Sequence, residues 1–341
     1  MNPPLPEACD DCLGRIPSFV RPQPRAVEIG AALRRTDGWA CCRHDRRYPT
    51  ALKDDHQRPA VLYGRGDPGR LALLGSAQVA VCVVGARRAS SYGLELARGL
   101  GRELAAAGLI VVSGMAIGID SAAHEGALAG GGVTAAVLGS GADVPSPARK
   151  RRLYERILEG GLVLSELPPG TRPSTISFPA RNRIMAALAA MTVVVEARER
   201  SGSLITATMA SDLGREVGAV PGRVGTVNAE GTNQLLRDGA QVIRCGQDVL
   251  DSLLGAGVLG RRVELARDSA PALDPGLEAV LELVEAGASS PDAVVIAGHC
   301  DAATAGAALA RLELLGYLRC DAVGRFEPTA LAAGRPQASS A

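Results

Sequence analysis

The chain has 341 residues, 47% of them hydrophobic and 21% charged, which is room for two domains with buried cores and excludes a disordered tail or short peptide. Its net charge of +1 denies the whole molecule a polyanion-seeking character, so any nucleic-acid partner has to be met by a local patch. Only Lys53 and Lys150 are lysines among the 37 basic residues, so the basic chemistry is that of arginine, whose planar fork suits phosphates.

The N-terminal residues 1–25 are proline-rich and weakly periodic, which predicts a poorly ordered segment. No basic region followed by an apolar one marks a signal peptide, and no run reaches the roughly 18 apolar residues of a spanning helix. A cytoplasmic protein without a membrane partner is expected, and its eight cysteines are expected to be reduced. Cys82, Cys245, Cys300 and Cys320 sit in apolar contexts and read as structural. Cys9 and Cys12, with Cys41, Cys42 and His44 further on, offer ligands of the tetrahedral zinc type, with Cys9, Cys12, Cys41 and His44 as the candidate four. The halves are far apart and the second is irregular, so unliganded thiols and no cofactor are the favoured reading.

Residues 26–75 read as a small N-terminal region. From there to 254 short Val/Ile/Leu runs alternate with helical patterns of 10 to 15 residues. The runs are 79–84, 109–113, 134–138, 162–167, 191–197, 215–222 and 241–243. Such alternation predicts an α/β fold, a doubly wound and mostly parallel sheet with helices on both faces. A linker over 255–275 ends it. Within 276–330, apolar stripes at Leu277, Val280, Leu281 and Val284 and at Ala308, Leu309, Leu312 and Leu315, with a short helix between and a hairpin after, predict a small winged-helix domain. Residues 331–341 read as a disordered tail.

Open parallel sheets bind ligands beyond the carboxyl ends of their strands, and the candidate residues cluster there. Arg87 follows the first strand. Ser113 and Gly114 begin a small-residue turn that ends at Asp120 and His124, read as a helix cap and a structural histidine. No G-x-G-x-x-G appears, which counts against a dinucleotide. Segment 144–183 carries a net +5 and includes Lys150; within it Phe178, Arg181, Asn182 and Arg183 join an aromatic, an amide and two guanidiniums, a mixture that stacks bases and holds phosphates. Ser201, Gly202, Ser203 and Thr206 form an anion cradle at a helix start. The Walker lysine is missing, so the cradle predicts holding rather than hydrolysis.

Taken in order, Val84-Gly-Ala-Arg87, Ser113-Gly-Met-Ala-Ile-Gly-Ile-Asp120 with His124, Ser165-Glu166, Phe178-Pro-Ala-Arg-Asn-Arg183, Ser201-Gly-Ser-Leu-Ile-Thr-Ala207, Val220-Pro-Gly222 and Asn233-Gln-Leu-Leu-Arg-Asp-Gly-Ala240 resemble the DNA-processing protein A family, DprA or Smf, over about 59–251. The resemblance implies an extended Rossmann-like domain that is not an enzyme, binds and protects single-stranded DNA, dimerises and helps load RecA during natural transformation. It carries the DNA-contacting role onto Arg87, Phe178, Arg181, Arg183 and the 201–206 cradle. Two local turns depart from the family pattern, at Val144-Pro-Ser146 and Ala187-Leu-Ala189. A rival reading takes Pro221 to Thr226 with Glu230 as the loop of a nucleoside-monophosphate phosphoribohydrolase, but its third residue is Arg223 and its acid falls one place late. A winged-helix transcription regulator meets a charge objection, because residues 277–328 carry a net −5.

Overall fold

The computed structural model describes residues 8–75, 80–255, 273–314, 317–320 and 324–328. It divides into two compact units at Gly255. Most of the linker expected over 255–275 and the whole of the 331–341 tail lie outside the described residues.

The first unit is built on a nine-stranded sheet. Chain order runs α1 (Asp10–Leu13), α2 (Ala26–Arg35), β1 (Trp39–Cys42), β2 (Val61–Gly66), β3 (Ala80–Val84), α3 (Ser91–Ala106), β4 (Ile110–Ser113), α4 (Ile119–Ala129), β5 (Thr134–Val137), α5 (Arg151–Gly160) and β6 (Leu162–Ser165). It continues through α6 (Ser177–Leu188), β7 (Met191–Val194), α7 (Gly202–Asp212), β8 (Glu216–Ala219), α8 (Glu230–Arg237), β9 (Gln241–Val242) and α9 (Gly246–Leu254). Strand order is β1-β2-β6-β5-β4-β3-β7-β8-β9, parallel from β6 through β9. Strands β3 to β7 are buried throughout, which is why they read as continuous apolar runs. The result is an extended Rossmann-like sheet. The chain leaves β3 toward β4 on one side and returns to β7 on the other, so the topological switch point lies between β3 and β7. Two helices on one face approach closely where Gly101 of α3 meets Gly126 of α4: a Cβ on either would stand 2.2 or 2.1 Å from a carbonyl oxygen of the opposite helix.

Residues 26–75 do not form a separate region. β1 and β2 pair antiparallel with each other, and β2 pairs antiparallel with β6, extending the sheet by its edge. Trp39 is buried on β1, with its indole Nε1 donating to the Gly66 carbonyl at 3.0 Å. Residues 10–20 are not loose either: α1 forms, and Cys12, Leu13 and Val20 are buried. Proline content misled there, because Cys12 and Leu13 pack on Ile29, Ala40, Val61 and Tyr63 at long range.

Among its described residues the second unit holds three helices, α10 (Pro275–Glu285), α11 (Pro291–Gly298) and α12 (Ala302–Leu314), and an antiparallel hairpin of β10 (Leu318–Cys320) and β11 (Phe326–Pro328). Asp274 and Ser290 cap the first two helices, each followed by proline at the first helical position. The expected stripe residues Leu277, Leu281, Val284, Leu309 and Leu312 form its core with Val294 and Tyr317. Among the described residues no single helix is long and apolar enough to cross a membrane.

Candidate nucleic-acid interface

Loops after β3 and β7 diverge at the switch point, and a cleft of about 560 Å³ opens between them. On one side the turn after β3 carries Arg87 and Arg88, both exposed. That turn is fixed from below: the Ala86 amide donates to the Glu196 carbonyl at 2.7 Å, and the buried Glu196 carboxylate accepts from the Ser90 amide and hydroxyl and from Asn228 Nδ2. Ser90 in turn caps α3 through the Gly93 amide. On the other side the segment after β7 contributes exposed Arg198 and Arg200 and leads into α7, capped by Ser201. Ser201 and Ser203 hydroxyls lie 2.8 Å apart at that helix start, whose first amides carry the positive end of the helix dipole.

Phe178, on the first turn of α6, lies beneath Arg87, whose guanidinium carbon is 5.4 Å from the ring centre. The half-buried ring and exposed Arg87 together present a flat face and a positive charge at the mouth of the cleft. Asn182 lies one turn further along α6 and donates to the Gly202 carbonyl at 3.3 Å, tying α6 to the cradle. A smaller depression beside the cleft shares Arg87 and Arg88 with it and adds Arg98 and Lys150, both paired with Glu125 at 3.3 and 3.2 Å. Lys150 therefore lies along the basic track, outside the cleft itself.

Arg181 is 5% exposed, on the cleft floor. It donates through Nη1 to the Gly114 carbonyl at 2.7 Å and to the Val137 carbonyl, and through Nε to Asn182 Oδ1 at 2.9 Å. Its charge faces the buried Asp120, which accepts from the Gly114 and Ala116 amides. Burial drives the Asp120 carboxyl pKa up and Arg181 pulls it back. Burial likewise lowers that of Arg181, opposed by Asp120. This guanidinium is a pillar rather than a free phosphate fork. Gly114 serves the pillar: a Cβ there would stand 1.9 Å from Arg181 Nη1.

Arg183 departs furthest from its expected role. It points away from the cleft, pairing with Asp55 at 3.0 Å and with Glu166, and joins α6 to the segment after β1 and to the end of β6. Ser113 is fully buried with its hydroxyl on the Val83 carbonyl at 2.6 Å. Ser113 and Gly114 are therefore structural supports behind the cleft and Arg183 a tie away from it, and none of the three lines it. Burial, with a smaller push from Arg181, takes His124 down to about 3, so it is neutral at physiological pH; its Nδ1 lies 2.7 Å from Thr134 Oγ1. Cys41 corrects one further expectation, since it is buried among Tyr48, Leu52 and Leu62, and Cys42 instead joins Cys9, Cys12 and His44.

Sequence reading missed Arg88, Arg198, Arg200 and the positioning role of Glu196. Arg198 and Arg200 directly follow a strand ending in the cradle loop, a place where strand-end logic alone would have found them. Glu196 carried no such signal, because its partners Ser90 and Asn228 are distant in sequence.

A switch-point cleft lined by four exposed arginines, an aromatic and a helix start makes this a Rossmann-like protein with a basic cleft. Residues 39–254 match the family model of DNA recombination-mediator protein A, and the chain belongs to that family. It is 40% identical over 290 residues to a putative DNA processing protein DprA of Mycobacterium tuberculosis, covering 83% of this chain and 72% of that one. It is 43% identical over 210 residues to DprA of Streptococcus pneumoniae, covering 60% and 71%. The crystal structure of the S. pneumoniae protein superposes with a TM-score of 0.60, covering 65% of this chain and 77% of that one at 40% identity. DNA processing protein A from Helicobacter pylori, described for its single-stranded DNA binding mode, superposes at 0.55, covering 60% and 92% at 33% identity.

Proposed function

We propose that this protein binds single-stranded DNA non-enzymatically in the switch-point cleft, as a DNA-processing protein of transformation and recombination. The observation that carries the reading is Arg87 held over Phe178 at the mouth of a cleft that also receives Arg88, Arg198, Arg200 and the start of α7. Phosphates meet the exposed guanidiniums and the α7 amides, while a base stacks on the Phe178 face. Asn182, Ser201, Gly202, Ser203 and Thr206 line the contact, Lys150 extends it, and Arg181 holds its floor. In this reading the protein works as a cytoplasmic homodimer, protects incoming strands and helps load RecA, with the acidic C-terminal unit, a winged helix, reserved for protein contacts. The phosphoribohydrolase reading is disfavoured because Glu230 opens α8 and is not among the residues lining the cleft.

Fluorescence anisotropy with labelled single-stranded and duplex oligonucleotides tests this. Four phosphate contacts imply a salt exponent of about −3 for a single strand, so a fourfold rise in salt weakens binding about 50-fold. Arg87→Ala is expected to cost about 1–3 kcal/mol and to lower the exponent by roughly one contact. Salt-independent binding, or wild-type affinity in Arg87→Ala, would overturn the assignment. Ribose 5-phosphate release from AMP in the same preparation would return the case to the phosphoribohydrolase.

A further inference from the structure

A second constellation lies at the edge of the sheet, in the part of the chain that the DNA-binding reading does not use. Cys9 stands at the start of α1 and Cys12 three residues on, one helical turn apart and on the same side. Cys42 ends β1, and His44 follows in the turn closed by the Asp45 amide on the Cys42 carbonyl at 2.9 Å. Strand alternation separates the two adjacent cysteines of β1: Cys41 faces the main core, and Cys42 faces α1 and α2. Three sulfurs and an imidazole nitrogen thereby converge from segments thirty or more residues apart, a convergence that nothing local in the chain enforces.

The distances match those of a tetrahedral thiolate–imidazole site. His44 Nδ1 lies 3.5 Å from Cys9 Sγ and 3.5 Å from Cys12 Sγ, Cys42 Sγ lies 4.0 Å from Cys9 Sγ, and all four ligand atoms lie within 4.8 Å of one another. Zinc bonds of about 2.3 Å to sulfur and 2.0–2.1 Å to nitrogen give tetrahedral edges of about 3.6 Å for S–N and 3.8 Å for S–S. Asp45, the carboxylate next to His44 in sequence, is occupied by Arg47 at 2.8 Å and does not compete as a ligand.

We propose that Cys9, Cys12, Cys42 and His44 bind one zinc ion as a closed, four-ligand structural site. Thiolate-rich tetrahedral sites select zinc over hard divalent cations, and four protein ligands leave no open position for catalysis. Binding forms three Zn–S bonds and one Zn–N bond, and each thiol that was protonated releases its proton to solvent, with no change of oxidation state. The ion ties residues 9–13 to β1, the edge strand, on the sheet face where Cys12 and Leu13 pack against Ala40, Val61 and Tyr63.

Metal analysis of the full-length protein, purified under reducing conditions without added chelator, tests the site. About one zinc per chain is expected, released when a mercurial reagent titrates the thiols. Cys12→Ser and Cys42→Ser are each expected to lower the content at least tenfold, and Cys41→Ala and Cys245→Ser to retain it. Because a ligand variant can fail to fold, the wild-type chain stripped of metal is also titrated with cobalt. Sulfur-to-cobalt charge transfer and intense tetrahedral d–d bands, bleached by stoichiometric zinc, are the expected signature. Metal-free wild type with no cobalt spectrum, a Cys9–Cys42 or Cys12–Cys42 disulfide in the reduced preparation, or full zinc in both ligand variants would each overturn the proposal.

Discussion

Replacing Arg181 by alanine separates a pillar from a contact. Sequence logic gives Arg181→Ala a cost of about 1–3 kcal/mol in DNA binding with the fold intact, as for Arg87→Ala. The structure revises that. Removing the side chain strands the Gly114 and Val137 carbonyls and leaves Asp120 as a buried carboxylate without its cation. Orphaned buried acceptors cost about 1–3 kcal/mol each, and the buried Asp120 also loses the through-space attraction of a guanidinium it does not contact. These overlap rather than add, and water entering from the cleft softens them, so a loss of about 3–5 kcal/mol in stability is expected. The single tryptophan, buried Trp39, reports unfolding of the first unit in urea. With a slope of about 2–3 kcal/mol per molar, the midpoint should fall by about 1–2.5 M. Asp120→Asn combined with Arg181→Ala should be less destabilising than the sum of the two single changes, because the unpaired charge is gone.

The same variant has a pH signature. Burial already raises the Asp120 carboxyl, and losing Arg181 removes the pull that opposes it. A carboxyl whose folded pKa is raised contributes stability that is full below its unfolded value of about 3.9 and is lost as pH rises through the folded value. The stability deficit of Arg181→Ala should therefore shrink on going from pH 8 to pH 5. Unchanged urea stability with weakened DNA binding would refute the pillar assignment and make Arg181 a direct contact.

Three further outcomes follow from the same geometry. Arg183→Ala breaks a buried network with Asp55 and Glu166, and should lower the Trp39-monitored urea midpoint while a folded sample keeps its salt exponent for DNA; a reduced exponent would place Arg183 at the phosphates. His124, held neutral with its pKa lowered to about 3, supplies stability that is present above its unfolded value near 6.5 and is lost as pH falls toward 3, so a well-folded His124→Gln should show a shallower acid limb in urea midpoint against pH. Deleting residues 276–341 should leave single-strand affinity within about twofold, because the cleft lies wholly in the first unit and the deleted part is acidic; a large loss of affinity would give the second unit a role in DNA binding.

The alternation of apolar runs and helical stripes was enough to place every strand from β3 to β9, because burial between two helical layers writes itself locally as Val/Ile/Leu text. Strand-end logic likewise found Arg87 and the Ser201 cradle, since a residue just past a strand is at the carboxyl edge whatever the rest of the chain does. Which arginine is free and which is spent was not legible. Arg181 and Arg183 read alike as neighbours of Phe178, yet one stands on carbonyls of the β4 and β5 ends and the other on Asp55 and Glu166, partners that only the packing of α6 on the sheet brings near. Cys41 and Cys42 are the same case at the far edge: the sequence supplies two adjacent thiols, and the face each presents depends on which side of β1 the helix α1 returns to cover. Local chemistry is set by the order of residues, whereas the pairing of buried charges and ligands is set by long-range contacts whose residues carry no mark of one another.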